Sequence, residues 1–148
     1  MRRQRPALVV VGAVACLTAC SGPVQVDSPQ LSADDKAACD SFVDALPDRV
    51  GEQDRRDVEG GPGAAYGDPP IVVRCGVPLP DTLLTSCFSV NGIDWYVEEA
   101  DNSVVALTAG RSPSVEVTVP TEYGASSSAL VDVTGTVQSA TRKAGKGC

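Results

Sequence analysis

The pattern of apolar and polar positions predicts a helix that begins after Ser32. Cys39, Phe42, Val43 and Leu46 are spaced i, i+3, i+4 and i+7, which places them in one stripe on a helix surface. Ser32 is a favourable N-cap residue, and the proline that follows Leu46 ends the helix. The buried stripe predicts that this helix packs against the rest of the domain.

After residue 70 the apolar period changes from helical spacing to two, which predicts β-strands. Residues 71–74 form a short apolar strand, and residues 115–119 alternate between valine and a polar residue. Asn91 and Gly92 separate two apolar runs and are a strong hairpin signal. Residues 101–102 mark a second turn. These segments predict a mainly antiparallel meander in which some strands have one solvent-exposed face.

Residues 126–142 return to helical spacing, with Leu130, Val133 and Val137 on one face. The order is therefore helix, strands, helix. The simplest way to bury both apolar helix faces is to pack them on one face of the sheet. We expect an α+β two-layer sandwich with a sheet of about four to five strands, within a single globular domain over residues 32–148.

Two segments lack apolar periodicity. Residues 51–68 contain five acidic residues and five glycines but little aliphatic bulk, which predicts a long surface loop. Residues 20–31 contain two prolines and no repeating pattern, which predicts a flexible, extended tether.

The N-terminus has the pattern of an export signal. Arginines at positions 2, 3 and 5 precede eleven uncharged residues, 7–17. A permanent transmembrane helix needs roughly 20 apolar residues, so this segment is too short to be one. It ends in a lipobox: an aliphatic residue, two small residues and a cysteine, which are Leu17, Thr18, Ala19 and Cys20. Residues 1–19 are therefore predicted to be a lipoprotein signal peptide.

Cleavage before Cys20 would leave its sulfur to carry a diacylglycerol. The alternative is an ordinary secretory leader, with Cys20 in a disulfide. That alternative leaves five cysteines and one unpaired thiol, whereas lipidation of Cys20 leaves four that can pair. We therefore expect a lipid-anchored protein on the extracytoplasmic face of the cell membrane.

Charge narrows the choice of partners. Residues 20–148 carry nine basic and 19 acidic side chains, a net charge of −10. Phosphate backbones repel such a surface, so nucleic acid is not an expected partner. The expected partners are the membrane, through the lipid on Cys20, and an envelope protein or cell-wall component.

Several short segments of the chain match a known sequence pattern: Cys39 with Leu46-Pro47, residues 67–71, residues 74–78, residues 90–95, and Gly110-Arg111 with residues 115–120. In these segments the chain resembles a family of actinobacterial secreted proteins, domain of unknown function 3515, over roughly residues 38–140. No activity is established for that family, so the resemblance implies a location and an architecture and no catalytic residues. Many family members lack counterparts of Cys87 and Cys148.

Four cysteines in an oxidising compartment predict two disulfides, and three pairings exist. Cys39 lies on the buried helix stripe and Cys75 ends a strand, so a bridge between them would join helix to sheet. Cys87 and Cys148 are the pair that the family resemblance marks as an addition. We therefore favour Cys39–Cys75 and Cys87–Cys148. Zinc is the rival interpretation, but the intervals of 36, 12 and 61 residues do not fit structural zinc sites.

The sequence lacks several catalytic groups. It contains no histidine, which excludes a Ser-His-Asp or Cys-His site within this chain. The sequence does not exclude a hydrolase that uses two carboxylates, because the chain has many acidic residues. Acidic residues near 54–59 and 98–102 do not have the spacing of an EF-hand and are interpreted as solvated turns. No metal and no cofactor are expected.

Four residues are speculative binding positions: Trp95, Tyr96, Asp68 and Arg111. Strand alternation places Trp95 on the core face and Tyr96 on the opposite face. Asp68 and Arg111 lie near strand ends, where salt bridges and turn bonds also explain them.

The leading hypothesis is a non-enzymatic, membrane-tethered interaction module. A small-ligand carrier and a carboxylate-based hydrolase of the envelope are the alternatives.

Overall fold

The computed structural model describes residues 22–80 and 86–148. The predicted signal peptide and Cys20 lie outside these residues. Within them the chain forms two α-helices, one 3-10 turn and twelve strands. The helices are α1 (Ala33–Ala45) and α2 (Ser127–Ala140). The strands are β1 (Val24–Val26), β2 (Arg49–Val50), β3 (Gln53–Arg56), β4 (Val58–Gly60), β5 (Gly63–Tyr66), β6 (Ile71–Cys75), β7 (Ser86–Val90), β8 (Ile93–Ala100), β9 (Ser103–Thr108), β10 (Arg111–Ser112), β11 (Val115–Pro120) and β12 (Arg142–Lys143).

The main sheet has eight strands in the order β2-β3-β5-β6-β11-β9-β8-β7, and neighbouring strands are antiparallel. The α+β class is as predicted, but the predicted number of four to five strands is wrong. The sheet is larger because residues 51–68 add strands to it.

The prediction of a surface loop over residues 51–68 is wrong, because this segment contains strands β3, β4 and β5. Gly51 and Glu52 have φ angles of 56° and 65°, and they make the two-residue turn between β2 and β3. The side chains of Ala64, Ala65 and Tyr66 are fully buried. The segment looks like a loop because alanine and glycine carry little apolar area, yet their small size is what permits burial here.

The prediction of a flexible tether over residues 20–31 is also wrong for residues 22–31, which are the part that the structure describes. Strand β1 pairs in parallel with β4, and Val26 is buried. Leu31 packs against the core. The Arg74 guanidinium contacts the Asp27 carboxylate at 3.0 Å. The segment from Val24 to Leu31 is therefore part of the folded domain.

The core lies on one face of the sheet, where both helices pack. Strand pairing aligns inward-facing side chains across the sheet, such as Val73 beside Val117 and Cys75 beside Val115. The α1 and α2 side chains belong to the same cluster as these strand residues. The buried helix residues include Cys39, Phe42, Leu130, Val133 and Val137.

Helix α1 follows its sequence signals closely. The Ser32 hydroxyl accepts a hydrogen bond from the Asp35 backbone N–H, as expected of an N-cap. At the other end, the Arg55 guanidinium donates to the carbonyl oxygens of Val43 and Leu46. A side chain from β3 thus satisfies the exposed carbonyls of the last turn.

The two turns predicted in the second half of the chain are confirmed. Asn91 and Gly92 have φ angles of 48° and 81° and connect β7 to β8. Asp101 and Asn102 connect β8 to β9, where Ala100 pairs with Ser103.

The structure contains the disulfides Cys39–Cys75 and Cys87–Cys148. These are the two pairs that the sequence favours. The first joins α1 to β6 in the core, and the second joins the C-terminal tail to the edge strand β7.

Candidate functional site

The four speculative binding residues do not converge on one site. Trp95 faces the core, whereas Tyr96 faces the other side of the sheet and is half-buried. Asp68 precedes β6, and Arg111 lies in β10, just before β11. Since β6 and β11 are antiparallel with Cys75 opposite Val115, Asp68 and Arg111 are at opposite ends of these strands.

Trp95 is completely buried, as its core-face position predicts. It pairs with Phe88 and Thr108 on the neighbouring strands. Its indole N–H has no hydrogen-bond partner among the described residues. The ring of Trp95 is therefore packed in the core, which is the position that strand alternation favours.

Arg111 caps the C-terminal end of α2. Its guanidinium donates to the carbonyl oxygens of Val137, Gln138 and Thr141, and to the Thr141 hydroxyl at 2.9 Å. The last carbonyls of a helix carry partial negative charge and need donors. Arg111 donates to these carbonyls from outside the helix, so its guanidinium is already engaged in contacts within the fold.

Asp68 lies in an exposed turn, with its carboxylate 3.6 Å from the Arg56 guanidinium. The Tyr123 hydroxyl donates to the Pro69 carbonyl at 2.7 Å and so joins this turn to the segment after β11. Burial, followed by the charge of Glu122, raises the pKa of Tyr123 above 10.0. These contacts give the Asp68 region a structural explanation.

The described residues form a groove of about 700 Å³, here called the N-terminal groove. It lies between residues 28–31, helix α1 and the β4–β5 turn. Its apolar lining includes Pro29, Leu31, Val43 and Pro62. Its charged lining comes from α1 alone: Lys36, Asp40 and Asp44.

Glycines 60, 61 and 63 allow the N-terminal segment to approach the β4–β5 turn. A Cβ at Gly60 would overlap the Val26 carbonyl oxygen, and one at Gly61 would overlap that of Asp27. A Cβ at Gly63 would lie 2.8 Å from a methyl group of Val26. Sequence reasoning missed this role. The available signal was the run of glycines, which fits a close backbone approach as well as a loop.

The charged side chains of the groove are exposed. The Lys36 ammonium contacts the Asp40 carboxylate at 2.7 Å, and Asp44 lies one helical turn further on. Asp40 and Asp44 thus stand side by side on one helix and do not face each other across a cleft. Within residues 22–80 and 86–148 no group of three metal-ligating side chains comes together.

The site and fold define a disulfide-bonded α+β domain with an open groove beside its N-terminal strand. The family model "Protein of unknown function (DUF3515)" matches residues 6–145, and the chain belongs to this family. No curated protein and no solved structure matches the chain. Of the two described helices, neither is long and apolar enough to cross a membrane.

Proposed function

We propose that this protein is an extracytoplasmic lipoprotein that acts as a non-enzymatic interaction module at the membrane surface. The observation that carries the proposal is the lipobox that ends in Cys20, behind a basic and then apolar leader. The partner would be an envelope protein or a cell-wall component.

The disulfides support lipidation of Cys20. All four cysteines that follow Cys20 are engaged with one another. None of them is therefore free to form an intramolecular bridge with Cys20. The sulfur of Cys20 is left for the modification that the lipobox predicts.

The docking of β1 limits how far the domain can move from its anchor. Val24, the first residue of β1, follows Cys20 by four residues. Consecutive Cα atoms are at most about 3.8 Å apart, so the Cα atoms of Cys20 and Val24 lie within about 15 Å. An anchored domain would stay close to the bilayer, with the Val24 end of β1 toward the lipid. We propose that the N-terminal segment orients the domain and does not act as a long tether.

The groove favours binding over hydrolysis. Asp40 is already paired with Lys36, and both groove carboxylates are exposed to water. A glycosidase pair instead flanks the bond that it cleaves, and its acid sits in partly apolar surroundings. The open groove with apolar lining fits a peptide or glycan segment. A small-ligand carrier is the second candidate, because a volume of about 700 Å³ is in the range of ligand sites.

Replacing single cysteines in the leader tests the anchor. We expect Cys20→Ser to abolish lipid labelling and to remove the mature protein from the membrane fraction of the native host. Cys16→Ser is the matched control, because Cys16 lies in the apolar leader and is not the lipobox cysteine. Mass spectrometry of the N-terminal peptide measures the modification. An acyl-free Cys20 in the wild-type protein would refute the proposal.

Site-specific photocrosslinking in intact cells tests the interaction role. A crosslinker at Asp44 points into the groove, and one at Asp101 lies on the β8–β9 turn as a control. We expect a discrete covalent product from Asp44 and none from Asp101. Equal or absent products at both positions would contradict the groove as the binding surface.

A further inference from the structure

The two disulfides differ in exposure. Cys39 and Cys75 are 0% and 1% exposed, and their bridge lies inside the core. Cys87 and Cys148 are both exposed. Thiol–disulfide exchange needs access of an attacking thiolate to a sulfur atom. The same chain thus contains one disulfide that solvent thiols can reach and one that they cannot.

The position of Cys87 adds to this access. Within residues 22–80 and 86–148, strand β7 is the edge strand of the main sheet and pairs with β8 alone. Cys87 pairs with Tyr96, so its side chain lies on the sheet face opposite the helices. The bridge therefore lies at the edge of the sheet, on the face that neither helix covers.

Besides the disulfide, two hydrogen bonds tie the C-terminal tail, residues 144–148, to the described part of the domain. The Ala144 N–H donates to the Gly110 carbonyl at 2.9 Å, and the Cys148 N–H donates to the Asp94 carboxylate at 3.0 Å. All five tail residues are exposed. Ordering several exposed residues costs more free energy than two solvent-exposed hydrogen bonds return. Without the covalent bond, the tail would leave the sheet.

We propose that Cys87–Cys148 is a thiol–disulfide exchange site whose reduction releases the C-terminal tail. The co-substrate is a dithiol protein of the oxidoreductase class. Its first thiolate attacks one sulfur of the bridge, forms a mixed disulfide and expels the other sulfur as a thiolate. Its second thiol then attacks the mixed disulfide, which leaves Cys87 and Cys148 as two thiols and the co-substrate as a disulfide. Two electrons and two protons pass to this protein.

Release of the tail changes a defined part of the surface. A cavity of about 220 Å³ lies between Gly145 and Gly147 of the tail and the β8–β9 region. It is also lined by Asp94, Ala109 and Arg111. Reduction removes the tail side of this already open pocket and frees the Asp94 carboxylate from the Cys148 N–H. The core bridge keeps α1 attached to β6, so the rest of the domain stays folded.

Graded reduction of the native, oxidised full chain tests the proposal. The protein is incubated with dithiothreitol without denaturant, quenched with N-ethylmaleimide and mapped by peptide mass spectrometry. We expect Cys87 and Cys148 to be alkylated faster than Cys39 and Cys75 by on the order of 100-fold or more, because the core bridge reacts only after local unfolding. Hydrogen exchange of residues 144–148 should rise to the rate of a free peptide, with β6 and β11 unchanged.

The double variant Cys87→Ser/Cys148→Ser reproduces the reduced state without any reductant. Its tail should exchange as fast as that of the reduced wild type. Equal reduction rates for the two bridges would overturn the proposal, as would a tail that stays protected after reduction. The wild-type measurement is decisive even if the variant folds poorly. It is also independent of the lipid on Cys20, so failure here and failure of the anchor are separate results.

Discussion

At the residue scale, arginine side chains act mainly as internal contacts. Arg55 caps α1 and Arg111 caps α2. Arg74 contacts Glu116 at 2.7 Å and Asp27 at 3.0 Å, and so joins the N-terminal segment to the sheet. Residues 20–148 carry a net charge of −10, and these cations are already paired with groups of the same domain. A negatively charged partner would find few free positive groups on this domain.

Because Tyr66 is buried, the free energy of unfolding should fall at alkaline pH. The Tyr66 hydroxyl donates to the Pro47 carbonyl at 3.0 Å, and burial raises its pKa above 10.0. Above pH 10 the unfolded chain loses this proton while the folded chain retains it. Stability from Tyr66 is therefore present below pH 10 and is lost as pH rises through the raised folded pKa. Urea unfolding between pH 8 and pH 11 should show a falling free energy of unfolding.

The variant Tyr66→Phe is the control for this pH dependence. It should lose about 1 kcal/mol at pH 8, because the Pro47 carbonyl loses a donor. Its decline above pH 10 should be shallower than that of the wild type. Tyr123, whose pKa is also raised, should account for part of the remaining slope. An unchanged slope in Tyr66→Phe would show that this hydroxyl is not the responsible group.

At the element scale, the short strands depend on tertiary contacts more than on their own sequences. Strand β1 has three residues, and it is placed by its pairing with β4 and by the glycines of the β4–β5 turn. An isolated pair of such strands is unstable in water. Burial of Val26 against the sheet supplies the missing stabilisation.

Two glycine substitutions should have opposite effects. Gly61→Ala would bring a methyl group against the Asp27 carbonyl and should destabilise the domain by about 1–3 kcal/mol, with loss of amide protection in β1. Gly135 lies on the exposed face of α2, and a Cβ at this position would have no described atom within 4 Å apart from its chain neighbours and the α2 backbone. Gly135→Ala should stabilise the protein by about 0.5–1 kcal/mol, since alanine is the better helix former.

Urea unfolding and hydrogen exchange measure both glycine variants. If Gly61→Ala left the exchange of residues 24–26 unchanged, the proposed role of the glycines in seating β1 would be wrong. A destabilised Gly135→Ala would instead indicate a contact on the outer face of α2.

At the scale of the whole molecule, the two disulfides should contribute unequally to stability. The chain-entropy model gives each about 4 kcal/mol, since the closed loops span 36 and 61 residues. Removal of the core bridge also disrupts buried packing, so Cys39→Ser/Cys75→Ser should cost about 4 kcal/mol or more. Removal of the tail bridge frees the tail in the folded state as well, so Cys87→Ser/Cys148→Ser should cost less than about 2 kcal/mol.

Equilibrium urea unfolding of the two double-serine variants compares these values directly. The longer loop of the tail bridge alone would predict the opposite order. A larger loss for Cys87→Ser/Cys148→Ser would therefore contradict the view that the tail is held mainly by its disulfide.

Local signals predicted the elements whose residues interact with near neighbours in sequence. The Ser32 cap, the turn at Asn91-Gly92 and the buried position of Trp95 depend on helix capping, turn geometry and strand alternation. The groove could not be predicted, because it is formed by residues 28–31, α1 and the β4–β5 turn, which meet only in the folded chain. Arg55 and Arg111 each cap a helix that is distant from them in the sequence, and no sequence pattern indicates these contacts.

The sequence by itself determined the α+β class, the absence of histidine and the lipobox pattern, from which a leader is predicted. These follow from composition, spacing and local periodicity, whereas the favoured cysteine pairs also rest on the family resemblance. Only the tertiary structure decided that residues 51–68 are strands, that the N-terminal segment is docked, and that one disulfide is buried while the other is exposed. The physical reason is that these features depend on contacts between distant segments, where small residues such as Gly61 and Ala64 gain their importance from what lies against them.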